Sequence, residues 1–238
     1  MNGSSDSIRL KEAEEWLSNF PRLFDLYQRS QKGNPRNYFN FKKLFPIAYA
    51  GAVAYADIET ALAKLDRISW ERLSKKALSC VTADDPLRRY HQLFSVLNEA
   101  RGYVYLANEG YEQIEFIEDQ SRKSPDLLGH KANSLAILEV KTVNQSDEDL
   151  VEESLRGGGA IEVEPKLSVR FKSRILRGIR DAREQLDAFP KATDKRIVFL
   201  FVHMESTQRT CGESYADLKS FIDDQNTDGI EVIHQATP

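Results

Sequence analysis

Ser124-Pro125-Asp126-Leu127-Leu128-Gly129, a short break over 130–134, and then Leu135-Ala136-Ile137-Leu138-Glu139-Val140-Lys141-Thr142-Val143 is the stretch that decides how this chain folds. The second run is apolar and β-prone, which predicts a strand over 135–143, and 126–129 predicts a shorter one before it. Side chains alternate along an extended strand. Glu139 and Lys141 therefore share one face, while Ala136, Leu138, Val140 and Thr142 share the other. Folding back through His130–Ser134 brings Asp126 beside Glu139. Two carboxylates and one ammonium then converge. Neighbouring anions repel unless something positive sits between them, and hard oxygen donors suit Mg²⁺ or Mn²⁺. A lysine next to such a cation can orient a water or stabilise charge developing on a phosphate. A structural salt bridge would need only one carboxylate.

The pattern [DE]-x-Lys occurs three times. Glu164-Pro165-Lys166 lies in a polar loop, and Asp217-Leu218-Lys219 lies in a helical stretch, where a spacing of two does not place side chains on one face. Only Glu139-Val140-Lys141 sits in an apolar strand behind a Pro-Asp and a turn. Outward from it, Leu87–Leu106 has the spacing of a helix closed by Gly110, Gln113–Glu118 reads as a strand, and Val169–Phe189 reads as a long amphipathic helix. Arg196–His203 (RIVFLFVH) is an apolar run expected to form a central strand, followed by a helix near Tyr215–Ile222 and a strand at Ile230–Ile233. Helical spacing over 12–27, 45–65 and 69–79 predicts a helical region at 1–85, ahead of a mixed α/β (α+β) domain at 86–238.

At these residues the sequence resembles the PD-(D/E)xK nuclease superfamily. Pro125-Asp126 matches the Pro-Asp element and Glu139-Val140-Lys141 the (D/E)xK element, over a span of about 87–203. The resemblance implies a restriction-endonuclease-like α-β-β-β-α-β core with a mixed central sheet flanked by helices. It also implies that Asp126 and Glu139, with Val140 between the motif's two charged positions, bind the metal while Lys141 assists the water. Many members carry a glutamate on the helix before the first strand, which points to Glu99. Its alternative is a solvent-facing glutamate. Many also carry a glutamine on the helix after the catalytic strand, which points to Gln185.

Helical periodicity bears on that last position independently. Counting ~100° per residue from Arg170, the side chains of Phe171, Ile175, Ile179, Ala182, Leu186 and Phe189 fall between about 100° and 180°, one apolar stripe. Arg174 and Arg177 fall near 40° and −20°, forming a cationic ridge with Arg170, and Gln185 falls near 60°, between ridge and core. Arg170, Arg174 and Arg177 are thus expected to meet a polyanion, with salt-dependent binding. The alternative partner for these arginines is the acidic stretch 144–165, which carries seven acidic residues against one arginine.

Composition bounds the remaining choices. The 238 residues carry a net charge of −4, which argues against non-specific coating of nucleic acid but leaves room for a local basic groove. Two cysteines without CxxC partners argue against a disulfide framework and a thiolate zinc site, and the lack of an apolar signal core or a ~20-residue apolar run sets a cytoplasmic, non-membrane expectation. No GxxxxGK[ST], GxGxxG or GxSxG motif is present, so any ATP-driven translocation would come from a partner protein. The four histidines are scattered and read as structural. The expectation is a Mg²⁺- or Mn²⁺-dependent endonuclease acting on DNA, with RNA not excluded, serving restriction, repair or antiviral defence. Target choice would come from the N-terminal helices, a second copy or a partner. The alternative is a non-catalytic nucleic-acid-binding or protein-interaction module on the same fold.

Overall fold

A computed structural model describes residues 11–30, 36–39, 52–82, 91–118, 124–143, 167–202, 212–226 and 229–236. The chain forms two compact units, Met1–Val104 and Tyr105–Pro238.

The first unit is helical. Residues 11–17 are helical, followed by α1 (Pro21–Arg29), α2 (Ala52–Leu62), α3 (Arg67–Ser79) and the beginning of α4 (His91–Asn108). Proline at the first position of α1 explains why the apolar spacing of 12–27 resolves into two helices: the ring forbids continuation but suits a helix start. Phe20 offers α1 no side-chain cap. Glu59 of α2 supplies it instead, accepting from the backbone N–H of Arg22 (2.8 Å) and Leu23 (3.1 Å). Burial pushes the Glu59 carboxyl upward, while those two N–H donors pull it back. Asp66 caps α3 by accepting from Ser69 N–H at 2.7 Å. Trp70 of α3 donates to Asp25 of α1 at 2.8 Å, beneath the Arg22 guanidinium. Helix α1 thereby packs on both α2 and α3.

The second unit is a five-stranded mixed sheet flanked by helices, an α+β arrangement. Its strands are β1 (Glu112–Phe116), β2 (Leu127–Lys131), β3 (Ser134–Val143), β4 (Lys195–Val202) and β5 (Ile230–Ala236), hydrogen-bonded in that order. The β1/β2 and β2/β3 pairs are antiparallel; β3/β4 and β4/β5 are parallel. Helices α5 (Val169–Asp187) and α6 (Gly212–Asp223) supply the two parallel crossovers. From α4 to β4 the order is therefore α-β-β-β-α-β. The strand over 196–203 lies inside the sheet but not at its centre: β3 is central, and β4 sits between it and β5. All six residues Ile197–Val202 are nonetheless buried, as an interior parallel strand requires.

Several element ends differ from the sequence reading. The hairpin is tighter than 130–134, because β2 runs on to Lys131 and pairs with Ser134, leaving a two-residue turn with Ala132 at φ 49°. Strand β1 begins at Glu112 and contains a bulge at Gln113 (φ 47°), so period-two alternation mislocates it. Helix α4 closes at Gly110, whose φ of 79° lets Tyr111 N–H reach the Leu106 carbonyl (2.9 Å) and Gly110 N–H reach that of Ala107 (3.0 Å). Residues 87–90 and His203, at the edges of two predicted elements, lie outside the described residues.

The core of this unit lies between one sheet face and α5 with α6. Phe171, Ile175, Ile179, Ala182 and Leu186 pack with Ile137, Val198, Leu200, Val202, Leu218 and Val232, and Phe189 joins partly buried. The apolar stripe on α5 is the one its periodicity predicts. On the other sheet face the Tyr105 ring meets Phe199 with centroids 5.8 Å apart. Gly178 marks the place where α5 crosses β3. A methyl group there would stand 3.8 Å from Val143 and 3.9 Å from Lys141, ordinary contact distances. Gly178→Ala is accordingly expected to raise stability by up to about 1 kcal/mol through helix propensity alone. Chemical denaturation of both proteins checks this, and a destabilised variant would mean that α5 and β3 leave no room for a methyl group at this crossing.

Candidate functional site

Strand β3 carries the site on the face that α5 covers. Ile137 and Val143 of β3 are core residues on that face, and Glu139 and Lys141 lie between them in the alternation. Glu139 is 2% exposed, with Val198 as its neighbour on β4. Asp126 stands just ahead of β2 and is held by main-chain bonds on both sides. Its N–H donates to the Leu138 carbonyl (3.1 Å), and its carbonyl accepts from Ile117 N–H (2.8 Å). Its side chain is fixed too, with Oδ2 accepting from Val140 N–H at 2.9 Å. The Pro-Asp element and the central strand are thus joined at the residues picked from sequence.

Lys141 Nζ donates to Glu139 Oε1 at 2.6 Å and to Gln185 Oε1. Gln185 Nε2 in turn donates to the Ser124 carbonyl at 3.0 Å. One amide on α5 therefore ties the lysine of β3 to the chain entering Asp126. Periodicity places Gln185 between arginine ridge and core, and the structure places it at this junction. The amide's orientation follows from its partners, an ammonium on the oxygen and a carbonyl on the nitrogen.

The electrostatics are those of a crowded anionic pocket. Glu139 is pushed up to about 8, first by burial and second by the neighbouring Asp126 carboxylate, and the Lys141 ammonium only partly offsets this. Its second oxygen, Oε2, is buried and has no hydrogen-bond partner among the described residues. A buried carboxylate oxygen without a donor is costly, and a cation beside it would remove that cost. Asp126 and Glu139 offer the hard oxygen donors that Mg²⁺ or Mn²⁺ prefers, and such ions keep several waters rather than demanding a full set of protein ligands. A valine side chain has no donor atom, so Val140 could contribute only its main-chain carbonyl. Among the described residues, no group of three or more His, Cys, Asp or Glu side chains is arranged to hold a metal ion. Asp126 and Glu139 could therefore supply two carboxylates to such an ion, with water needed for its remaining ligands.

No protein-family model matches the chain. No curated protein matches it either. A solved structure with some likeness is SfsA of Pyrococcus furiosus in complex with Ca²⁺, at 14% identity and a TM-score of 0.23. The match covers 61% of this chain and 55% of that one, and a likeness this slight carries no argument.

Glu99 is not among the side chains that the second unit gathers. It belongs to the first unit, is 6% exposed, and pairs with Lys76 at 2.8 Å, so it is not the solvent-facing residue of the alternative reading. On α5, Arg170 and Arg177 are exposed, while Arg174 is half-buried with its guanidinium 5.1 Å from the Phe171 ring centroid. The N-terminal turn that bears Arg170 is fixed at three points. Ser168 accepts from Phe171 N–H (3.1 Å), and Asp217 of α6 accepts from Leu167 N–H (2.9 Å) and Lys172 Nζ (3.0 Å). Asp217 belongs to one of the two [DE]-x-Lys copies set aside above, and its described lysine partner is Lys172, one helix away. Neither Asp217 nor the main chain of Ser124 has a signature that sequence could reveal, since each acts through a distant partner. The acidic stretch 144–165 lies outside the described residues. No helix among the described residues is long and apolar enough to cross a membrane.

Proposed function

We propose that this protein is a Mg²⁺- or Mn²⁺-dependent endonuclease of the PD-(D/E)xK kind, hydrolysing phosphodiester bonds in DNA. The observation that carries the reading is the buried Glu139 Oε2 without a donor, beside Asp126 and within one side chain of Lys141. Asp126 and Glu139 would hold the cation, with the Val140 carbonyl as a further donor. When bound, the cation supplies charge neutralisation on the phosphate and a water of lowered pKa. Lys141 presents an ammonium at the same place, able to hold that water or donate to a phosphate oxygen. Gln185 keeps the lysine there, and because Asp126 is bonded to Leu138, Ile117 and Val140, the carboxylates need no reorganisation. Arg170, Arg174 and Arg177 would meet the phosphates flanking the cut. Arg170→Ala/Arg177→Ala should flatten the salt dependence of DNA affinity by about 2 in the log–log slope, read by fluorescence anisotropy.

The test is direct. Supercoiled plasmid should be nicked or cut with Mg²⁺ or Mn²⁺ and left intact with EDTA. A second reading, a non-catalytic nucleic-acid-binding module on the same fold, is favoured by the 2.6 Å Lys141–Glu139 contact, in which a resident ammonium already partly offsets the charge of the carboxyl group. DNA binding without cleavage in either cation would select it. Restriction, repair or antiviral defence is the biological setting we propose, with a second copy or a partner protein completing target choice.

A further inference from the structure

The first unit contains a helix pair that the site does not use. Helix α2 ends at Leu62 and α3 starts at Arg67, so a four-residue turn, Ala63-Lys64-Leu65-Asp66, joins them, and α1 packs on both. A pair of helices joined this closely and buttressed by a third is the build of helix-turn-helix readers, in which the second helix enters the major groove.

The surface of α3 suits that role. Ser69, Trp70, Leu73, Ser74 and Ala77 are buried, and together they mark one side of the helix. At ~100° per residue the opposite side is centred on Ile68 and Lys75, flanked by Arg67, Glu71, Arg72 and Ser79. Arg67, Glu71, Lys75 and the turn residue Lys64 are exposed, and Arg72 is half-exposed. Ile68 is 62% exposed, an apolar side chain in the middle of a charged helix face. Lys76 points elsewhere, toward Glu99. Two acidic side chains border this face: Glu71 is turned to Arg29 of α1 at 3.4 Å, and Asp66, exposed in the turn, accepts from Ser69 N–H at 2.7 Å. A face of four basic side chains around one aliphatic group matches duplex DNA in both respects: cations for the phosphates, and an apolar contact for a thymine methyl in the major groove.

We infer that α3 is a DNA-reading helix, with Lys64, Arg67, Arg72 and Lys75 on the phosphates and Ile68 at the base edges. This site is separate from the proposed cleavage centre, and it rests on that reading only in taking DNA as the polyanion. The test uses the full chain and a fluorescein-labelled 30-base-pair duplex in EDTA, so that binding is read without cleavage. Arg67→Ala/Lys75→Ala should weaken binding at least ten-fold at 100 mM salt and lower the log–log salt slope by about 2. Glu71→Gln should tighten it several-fold, a gain that a misfolded variant cannot mimic. Unchanged affinity in both variants, or a preference of the wild-type chain for hairpin RNA over the duplex, overturns the inference. Wild-type plasmid cleavage with Mg²⁺ is measured alongside, so failure of the cleavage reading shows only in that assay and failure of this one only in the anisotropy.

Discussion

Glu139→Ala is expected to lower Mg²⁺-dependent plasmid cleavage by at least about 10³-fold, with Lys141→Ala losing about 10²–10³-fold. Both substitutions act on the same small volume by different routes. Removing Glu139 deletes the buried oxygen that lacks a donor and also releases the Lys141 ammonium from its carboxylate partner. Removing Lys141 leaves both carboxylates in place without their compensating charge, so cation affinity should hold or rise while turnover falls. Isothermal titration with Mn²⁺ alongside the plasmid assay separates the two: the Glu139 variant should lose Mn²⁺ binding, and the Lys141 variant should retain it. Full cleavage by the Glu139→Ala protein would move the chemistry to another site. Retained circular dichroism and thermal unfolding establish that loss of activity is not loss of fold.

The second large effect is on stability, and its sign follows from the Glu139 environment. In the cation-free protein this carboxyl keeps its proton up to about 8, against 4.5 for an ordinary glutamic acid. Between those two values the folded state holds more protons than the unfolded state, so stability falls as pH rises across that window and levels off above it. Glutamine has the same shape and no proton to lose. Glu139→Gln should therefore match wild type near pH 4.5 and exceed it at pH 8.5 by a few kcal/mol, since each ten-fold in proton affinity is worth ~1.4 kcal/mol. Thermal melts in EDTA across this range check it, and parallel curves for the two proteins would refute the buried, anion-crowded description. Adding Mg²⁺ at pH 8.5 should raise the wild-type Tm and leave that of the glutamine variant unmoved, because only a ligand that prefers the folded state shifts the midpoint.

Local chemistry made part of this legible in advance. Alternation along 135–143 put Glu139 and Lys141 on one face, and the 3.6-residue period of α5 separated its core stripe from its arginines, because both patterns depend only on backbone geometry. The Pro-Asp beside a turn implied that Asp126 folds back on Glu139, and the β2/β3 hairpin does this. What pattern reading misplaced was set by irregular backbone, as at the Gln113 bulge and the two-residue turn at Ala132. Glu99 drew attention as an acidic residue in an apolar stripe, yet its burial and its Lys76 partner come from α3 packing against α4, which no local rule encodes.

By its own periodicities the amino-acid chain determined where most of the described helices and strands lie, which face of α5 is apolar, and which three ionisable residues meet at the β2/β3 hairpin. Such properties arise between residues a few positions apart, where the backbone permits few choices. Tertiary structure alone decided that β3 rather than β4 is central, that Gln185 reaches across 44 positions to Lys141, and that one Glu139 oxygen is buried beside Asp126 with no donor among the described residues. Those outcomes depend on how α5 lies over the sheet, a packing arrangement selected by the whole core at once rather than by any one stretch of it.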